Sequence, residues 1–95
     1  MVKVEVEVDR LDQIGEALAA GADVILLDNM TPAQMREAVA IIDRRAIVEA
    51  SGRITKETAP AIAATGVDVI SCGWITHSAP ILDIGFDFDD ALASA

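Results

Sequence analysis

The sequence predicts an α/β protein with parallel strands, and three observations carry that prediction. Runs rich in Val and Ile recur at nearly constant spacing, at Val2–Val8, Val24–Asp28, Ala46–Glu49 and Val67–Cys72. Segments whose apolar residues follow a helical period lie between them. The order of helix, Gly21, Asp23 and strand is echoed two strands later at Gly66 and Asp68. Such a repetition is typical of βα units joined by right-handed crossovers.

Capping residues predict where the helices begin and end. Asp9 can cap the first helix, and Gly21 stands where a left-handed residue would end it. Thr31–Gln34 combines a capping Thr, a Pro at the first helical position and a Gln three residues after the Thr. A third helix is expected to begin close to Thr58 and to end at Gly66.

The chain length predicts a single domain over residues 1–95 that amounts to half of a (β/α)8-type barrel. A complete barrel needs about 200 residues or more, and four βα units supply half of one. The half can dimerise through its strand edges, rearrange into an open flavodoxin-like sheet, or leave an edge strand exposed at each end, and these three alternatives stay open. Ile81–Phe88 alternates apolar and acidic residues as an extra strand would, and residues 89–95 are expected to be a tail.

Charge and composition exclude several classes of partner. Sixteen acidic residues against seven basic ones give a net charge of −9, which makes nucleic acid a poor ligand. The longest apolar run, Val24–Leu27, is too short to span a membrane, and the first residues lack the apolar core of a secretion signal. A lone cysteine, Cys72, fits a reducing compartment, so we expect a cytoplasmic protein.

The predicted strands end on polar or small residues, and in parallel α/β folds ligands gather at these ends. Carboxylates at neighbouring strand ends can hold Mg²⁺, which prefers oxygen ligands. Main-chain N–H groups at Ser51-Gly52 and near Gly73 can cradle a phosphate, because glycine lets the backbone approach closely. The strand-end residues are Glu5 and Glu7, Asp28-Asn29, Glu49 to Gly52, and Ser71 to Gly73.

Each of these residues also has a reading without a ligand. Glu5 and Glu7 fall on the same face of a strand and can both face solvent. Asp28 can cap a turn, and Ser51-Gly52 suits a tight turn. His77, expected at a helix start, can be a surface or capping residue.

Six segments in register along almost the whole chain resemble the quinolinate phosphoribosyltransferases. The segments are Val4–Val8, Leu26–Met30, Glu49–Gly52, Thr65–Ser71, Gly73 with Thr76-His77, and Leu82–Ile84. The resemblance implies a Mg²⁺-dependent transfer from phosphoribosyl pyrophosphate to quinolinate, giving nicotinate mononucleotide, pyrophosphate and CO2.

The same resemblance assigns roles to individual residues. It implies that Glu7 and Asp28 are catalytic carboxylates near the ribose hydroxyls and the metal ion. It also implies that four residues line the pocket for the 5′-phosphate: Ser51, Gly52, Gly73 and His77.

Departures from the family pattern lead us to expect an isolated chain that is not a competent enzyme. In the family, the quinolinate pocket is basic and is formed by Arg, Lys and His residues of an N-terminal domain and of the first barrel strands. These segments are missing from the sequence before Met1, and Arg53 alone cannot replace their positive charge. Trp74 stands where a small residue is expected. An engineered or excised half-barrel folding module is therefore the alternative. A flavodoxin-like regulator with Asp28 as phosphoacceptor is a third reading, weakened by the lack of an acidic pair and a late-strand Lys.

Overall fold

The computed structural model describes residues 3–71 and 76–79, which form one five-stranded sheet with a helix between each two successive strands from β1 to β4. Strands β1 to β4 run parallel, and β5 pairs antiparallel with β4. The 3₁₀ turn Leu11–Gln13 leads directly into α1. The elements are β1 (Glu5–Val8), α1 (Ile14–Ala19), β2 (Val24–Asp28), α2 (Pro32–Ile42), β3 (Ile47–Ser51), α3 (Ala59–Ala63), β4 (Val69–Ser71) and β5 (Thr76–Ser78).

The strand order is β1-β2-β3-β4-β5, so each strand lies beside the next one along the chain. A flavodoxin-like sheet reverses direction at a switch point and has the order 2-1-3-4-5. The flavodoxin-like alternative is therefore wrong, and the described residues have the sequential winding of a barrel. The extra strand predicted over residues 81–88 lies outside the described residues.

The core lies on one face of the sheet, between the strands and the helices. Strand residues in the core share this face because they stand in register: Val8, Leu27, Ala50 and Ile70 form one row, and Ile25 and Val48 another. Helix residues that pack on them are Ile14, Ala17, Met35, Ala38, Ile42 and Ile62. Burial of apolar surface stabilises a fold by about 25 cal/mol per Å². Because the buried apolar residues lie on this face, the face supplies most of that stabilisation.

The helix starts agree with the predicted capping in two cases and differ in one. Thr31 and Gln34 form the capping box of α2, with bonds of 2.9 Å and 3.2 Å between each side chain and the other's main-chain N–H. Thr58 is the N-cap of α3. The predicted cap by Asp9 is wrong, because the N-cap position of the first turn is Arg10. Asp9 takes part only through its main-chain N–H, which donates to the Gln13 side chain at 2.8 Å.

The repeated Asp residues tie neighbouring strands together where the strands begin. The Asp23 carboxylate accepts a hydrogen bond from the Val4 N–H, and the Asp68 carboxylate accepts one from the Val48 N–H, both at 2.9 Å. In return the main-chain N–H of each Asp donates to the carbonyl of the same partner at 2.8 Å. The echo in the sequence therefore marks one structural device used twice, at the edge opposite the predicted site.

His77 is not at a helix start, contrary to the sequence-based prediction. It lies in β5, where its main chain pairs with Ile70 of β4. Among the described residues, none of the helices is long and apolar enough to cross a bilayer.

Candidate active site

The second face of the sheet, called the open face below, carries the predicted site. None of its residues is buried in the structure. They fall on this face because they alternate along each strand with the residues of the core. The open face consists of Glu5 and Glu7; Val24, Leu26 and Asp28; Ile47, Glu49 and Ser51; and Val69 and Ser71.

Glu7 and Asp28 come together on neighbouring strands, as predicted. Glu7 stands opposite Leu26, and Asp28 lies two residues further along β2 on the same face. Standard strand spacings put their Cα atoms about 8 Å apart, within reach of one shared ligand. Glu7 is exposed and Asp28 half-buried. Neither carboxylate has a hydrogen bond or ion pair within residues 3–71, so nothing described there neutralises them.

Ser51 continues this polar rim across the next strands. It stands opposite Asp28 on β2 and opposite Ser71 on β4, all at the carboxyl ends of their strands. A row of Asp28, Ser51 and Ser71 therefore runs along the upper edge of the open face. Hydroxyl and carboxylate groups in such a row offer both donors and acceptors to a polyhydroxy ligand.

Glu49 is the residue to which sequence reasoning gave no individual role. It lies two positions before Ser51 on the same face, and its carboxylate accepts a hydrogen bond of 2.8 Å from the Ser71 hydroxyl. The sequence did indicate that Glu49 shares a face with Ser51, because both alternate with the apolar residues Val48 and Ala50, which are buried. The hydrogen bond with Ser71 joins two strands, so it depends on β3 and β4 lying side by side in the sheet, which spacing along the chain does not reveal.

Gly52 has a structural reason to be glycine. Its φ is +120°, and a Cβ there would lie 2.7 Å from the Asn29 side-chain oxygen. Asn29 itself adopts φ 55°, and its N–H donates to the Ser51 carbonyl at 3.2 Å. The loop after β3 is thus pressed against the end of β2, which holds Ser51 and Gly52 close to Asp28.

A magnesium ion fits the chemistry of the site only in part. The residues that the structure describes contain no group of three or more His, Cys, Asp or Glu able to hold a metal ion. Mg²⁺ is commonly bound by one or two carboxylates, with water and substrate oxygens completing its octahedron. Glu7 and Asp28 supply oxygens of that kind, so they would hold the ion together with a bound phosphate ligand.

Two of the predicted phosphate residues are not placed by the described structure. Gly73 lies outside residues 3–71 and 76–79, and of His77 only the main chain is described. The part of the predicted phosphate pocket that can be located is therefore Ser51 with Gly52. This part adjoins Asp28, which stands opposite Ser51 on β2.

Comparison with known proteins identifies the family. The model of the quinolinate phosphoribosyl transferase C-terminal domain matches residues 1–87. The chain belongs to this family. A probable carboxylating nicotinate-nucleotide pyrophosphorylase of Bacillus subtilis (strain 168) is 47% identical over 87 residues, covering 92% of this chain and 30% of the relative. The human nicotinate-nucleotide pyrophosphorylase (carboxylating) is 40% identical over 85 residues, covering 86% and 29%.

Solved structures agree with the family assignment. The nicotinate-nucleotide pyrophosphorylase of Francisella tularensis superposes with a TM-score of 0.70 at 46% identity, covering 74% of this chain and 25% of that one. The enzyme of Ehrlichia chaffeensis gives the same TM-score at 39% identity. The chain therefore spans about 30% of the length of the relatives it matches.

Proposed function

We propose that this chain is the portion of a carboxylating nicotinate-nucleotide pyrophosphorylase that contacts the ribose and the 5′-phosphate of phosphoribosyl pyrophosphate. The whole reaction converts this donor and quinolinate to nicotinate mononucleotide, pyrophosphate and CO2, a step of NAD biosynthesis. The observation that carries the proposal is the convergence of Glu7, Asp28 and Ser51 on one rim of the open face, in a chain that belongs to the family.

In this proposal Glu7 and Asp28 act on the ribose. Departure of pyrophosphate from C1 builds positive charge on the sugar ring, and fixed carboxylates beside the ring stabilise that charge. The same carboxylates accept hydrogen bonds from the ribose hydroxyls and orient the ring. Mg²⁺, bound by them together with pyrophosphate oxygens, would neutralise charge on the leaving group.

Ser51 and Gly52 act on the 5′-phosphate. The Ser51 hydroxyl and the main-chain N–H groups of the loop are the donors, because successive backbone N–H groups in a tight turn can bind a phosphate. Gly52 serves this site indirectly, since the lack of a Cβ lets the loop lie against Asn29 at the end of β2. Gly73 and His77 complete this pocket in the proposal. A phosphate site after the last strands of a barrel is common in this architecture.

The isolated chain is proposed to bind the donor without completing the reaction. Quinolinate is a dicarboxylate and needs cations, whereas every charged residue on the open face is acidic: Glu5, Glu7, Asp28 and Glu49. The quinolinate-binding half must come from the rest of a longer enzyme or from a second chain. Within residues 3–71 and 76–79, strand β1 pairs with β2 alone, so association through the other edge of β1 is the proposed route. A cytoplasmic location fits this role.

The test is a titration of the isotope-labelled chain with phosphoribosyl pyrophosphate and Mg²⁺, followed by amide NMR shifts. We expect saturable shifts centred on Glu7, Asp28, Ser51 and Gly52. Asp28→Asn should weaken the affinity about tenfold, because it removes a charged hydrogen-bond acceptor. Glu37→Gln on exposed α2 is the matched control for loss of one negative charge and should bind like the native chain.

The second candidate is a half-barrel folding module that binds no substrate. Its support is that the strand residues of the described core all lie on the helix-covered face, so the open face takes no part in that core. Under this alternative the same titration leaves a well-dispersed spectrum unmoved at millimolar ligand. Such a result would contradict the proposed function while leaving the family assignment intact.

A further inference from the structure

Cations are scarce at the edge of the sheet where the proposed site lies. In the described loops that follow strands β1 to β3, the basic residues are Arg10, Arg53 and Lys56. Arg10 is paired with Asp12 at 3.1 Å, and Lys56 also has a partner. The Arg53 guanidinium makes no hydrogen bond or ion pair with any described residue, and the side chain is exposed.

Arg53 lies at the centre of a three-residue turn that is anchored on both sides. The Ile54 N–H donates to the Gly52 carbonyl at 3.0 Å, which closes the turn around Arg53. Ile54 packs against the core, and Gly52 is in contact with Asn29. Both neighbours of Arg53 are therefore fixed, so its main chain is held next to Ser51 and Gly52.

We infer that Arg53 is a further binding residue for the 5′-phosphate, an inference that rests on the proposed function. The order Ser51-Gly52-Arg53 provides a hydroxyl, a main-chain N–H and a guanidinium in succession on one short turn. A planar guanidinium can bind phosphate through two parallel hydrogen bonds. The site needs such a group, because carboxylates line the open face and the chain carries a net charge of −9, both of which repel phosphate.

The test measures binding of ribose 5-phosphate, which has the 5′-phosphate but no pyrophosphate, to the 95-residue chain by NMR titration. Arg53→Ala should weaken binding about tenfold or more, because a charge-assisted contact is lost. Arg53→Lys should recover part of the affinity, since a lysine keeps the charge but not the paired geometry. Arg36→Ala, which removes an exposed cation from α2, is the control and should stay within about twofold.

Three outcomes would overturn the inference. Unchanged affinity in Arg53→Ala, with weakened affinity in Ser51→Ala, would leave the proposed function standing and remove Arg53 from the site. If Arg53→Ala weakens binding of Mg²⁺-pyrophosphate as much as it weakens binding of ribose 5-phosphate, Arg53 would be assigned to the diphosphate instead of the 5′-phosphate. A native chain that binds neither probe would refute the proposed function and the inference together. Dispersed amide spectra of all variants verify that each one is folded.

Discussion

Leu26 and Leu27 are neighbours in the same strand, yet they lie in different environments. Leu27 points to the helices and is fully buried at 0% exposure, whereas Leu26 lies on the open face and is half-buried. The same division holds along β1 to β4, where one set of residues forms the core and the alternate set forms the open face. Stability and the proposed function therefore use opposite faces of one sheet.

The chemistry of the two faces follows from this division. The helix-covered face is built from Val, Ile, Leu and Ala, because burying a charge there would cost several kcal/mol. The open face tolerates Glu7, Asp28 and Glu49, since water or a ligand can solvate them. Residues on the open face are thus free to serve binding without a large effect on the fold.

The largest effect should come from truncating the buried member of the leucine pair. Leu27→Ala is expected to destabilise the chain by about 2–5 kcal/mol, through lost burial and the cavity it leaves. Leu26→Ala should cost less than about 1.5 kcal/mol, because its side chain stays partly solvated. Urea unfolding measured by circular dichroism checks both. Equal losses would mean that the two faces are equally buried in solution.

A second pair of variants tests the loop that positions the proposed phosphate site. Gly52→Ala should cost about 1–3 kcal/mol, because its φ of +120° suits only glycine and the new Cβ would meet Asn29. Gly15→Ala in α1 meets no atom within 4 Å and should stabilise the chain by up to about 1 kcal/mol. Thermal unfolding compares the two. A neutral Gly52→Ala would show that the loop is not pressed against β2.

The smallest expected change in stability comes from removing a carboxylate at one or the other edge of the sheet. Asp68→Ala removes the acceptor of the Val48 N–H and should destabilise the chain by about 1–2 kcal/mol. Asp28→Ala should change stability by about 0.5 kcal/mol or less, since Asp28 has no partner among the described residues. Chemical unfolding should show the larger loss of stability in Asp68→Ala, whereas the ligand titration should show the larger loss of affinity in Asp28→Ala. Any other ranking would contradict the division of roles between the two edges.

Local patterns predicted the elements well because their causes are local. The capping box at Thr31 and Gln34 needs only residues within one helical turn, and it was confirmed. Gly21 and Gly66 have φ of 83° and 98°, as expected for residues that end helices. The prediction that Asp9 caps the first helix was wrong, because the first turn begins one residue later, with Arg10 at the N-cap position. The prediction that His77 lies at a helix start was wrong, because pairing with β4 places His77 in a strand.

The sequence by itself determined the strands, the helices and the alternation that separates a core face from a polar face. Those features depend on spacing along the chain, which side-chain geometry converts directly into direction. Tertiary structure decided the strand order, the Glu49–Ser71 hydrogen bond and the contact between Asn29 and Gly52. These features join residues from different βα units, so they exist only once parallel strands have been brought side by side across long crossovers.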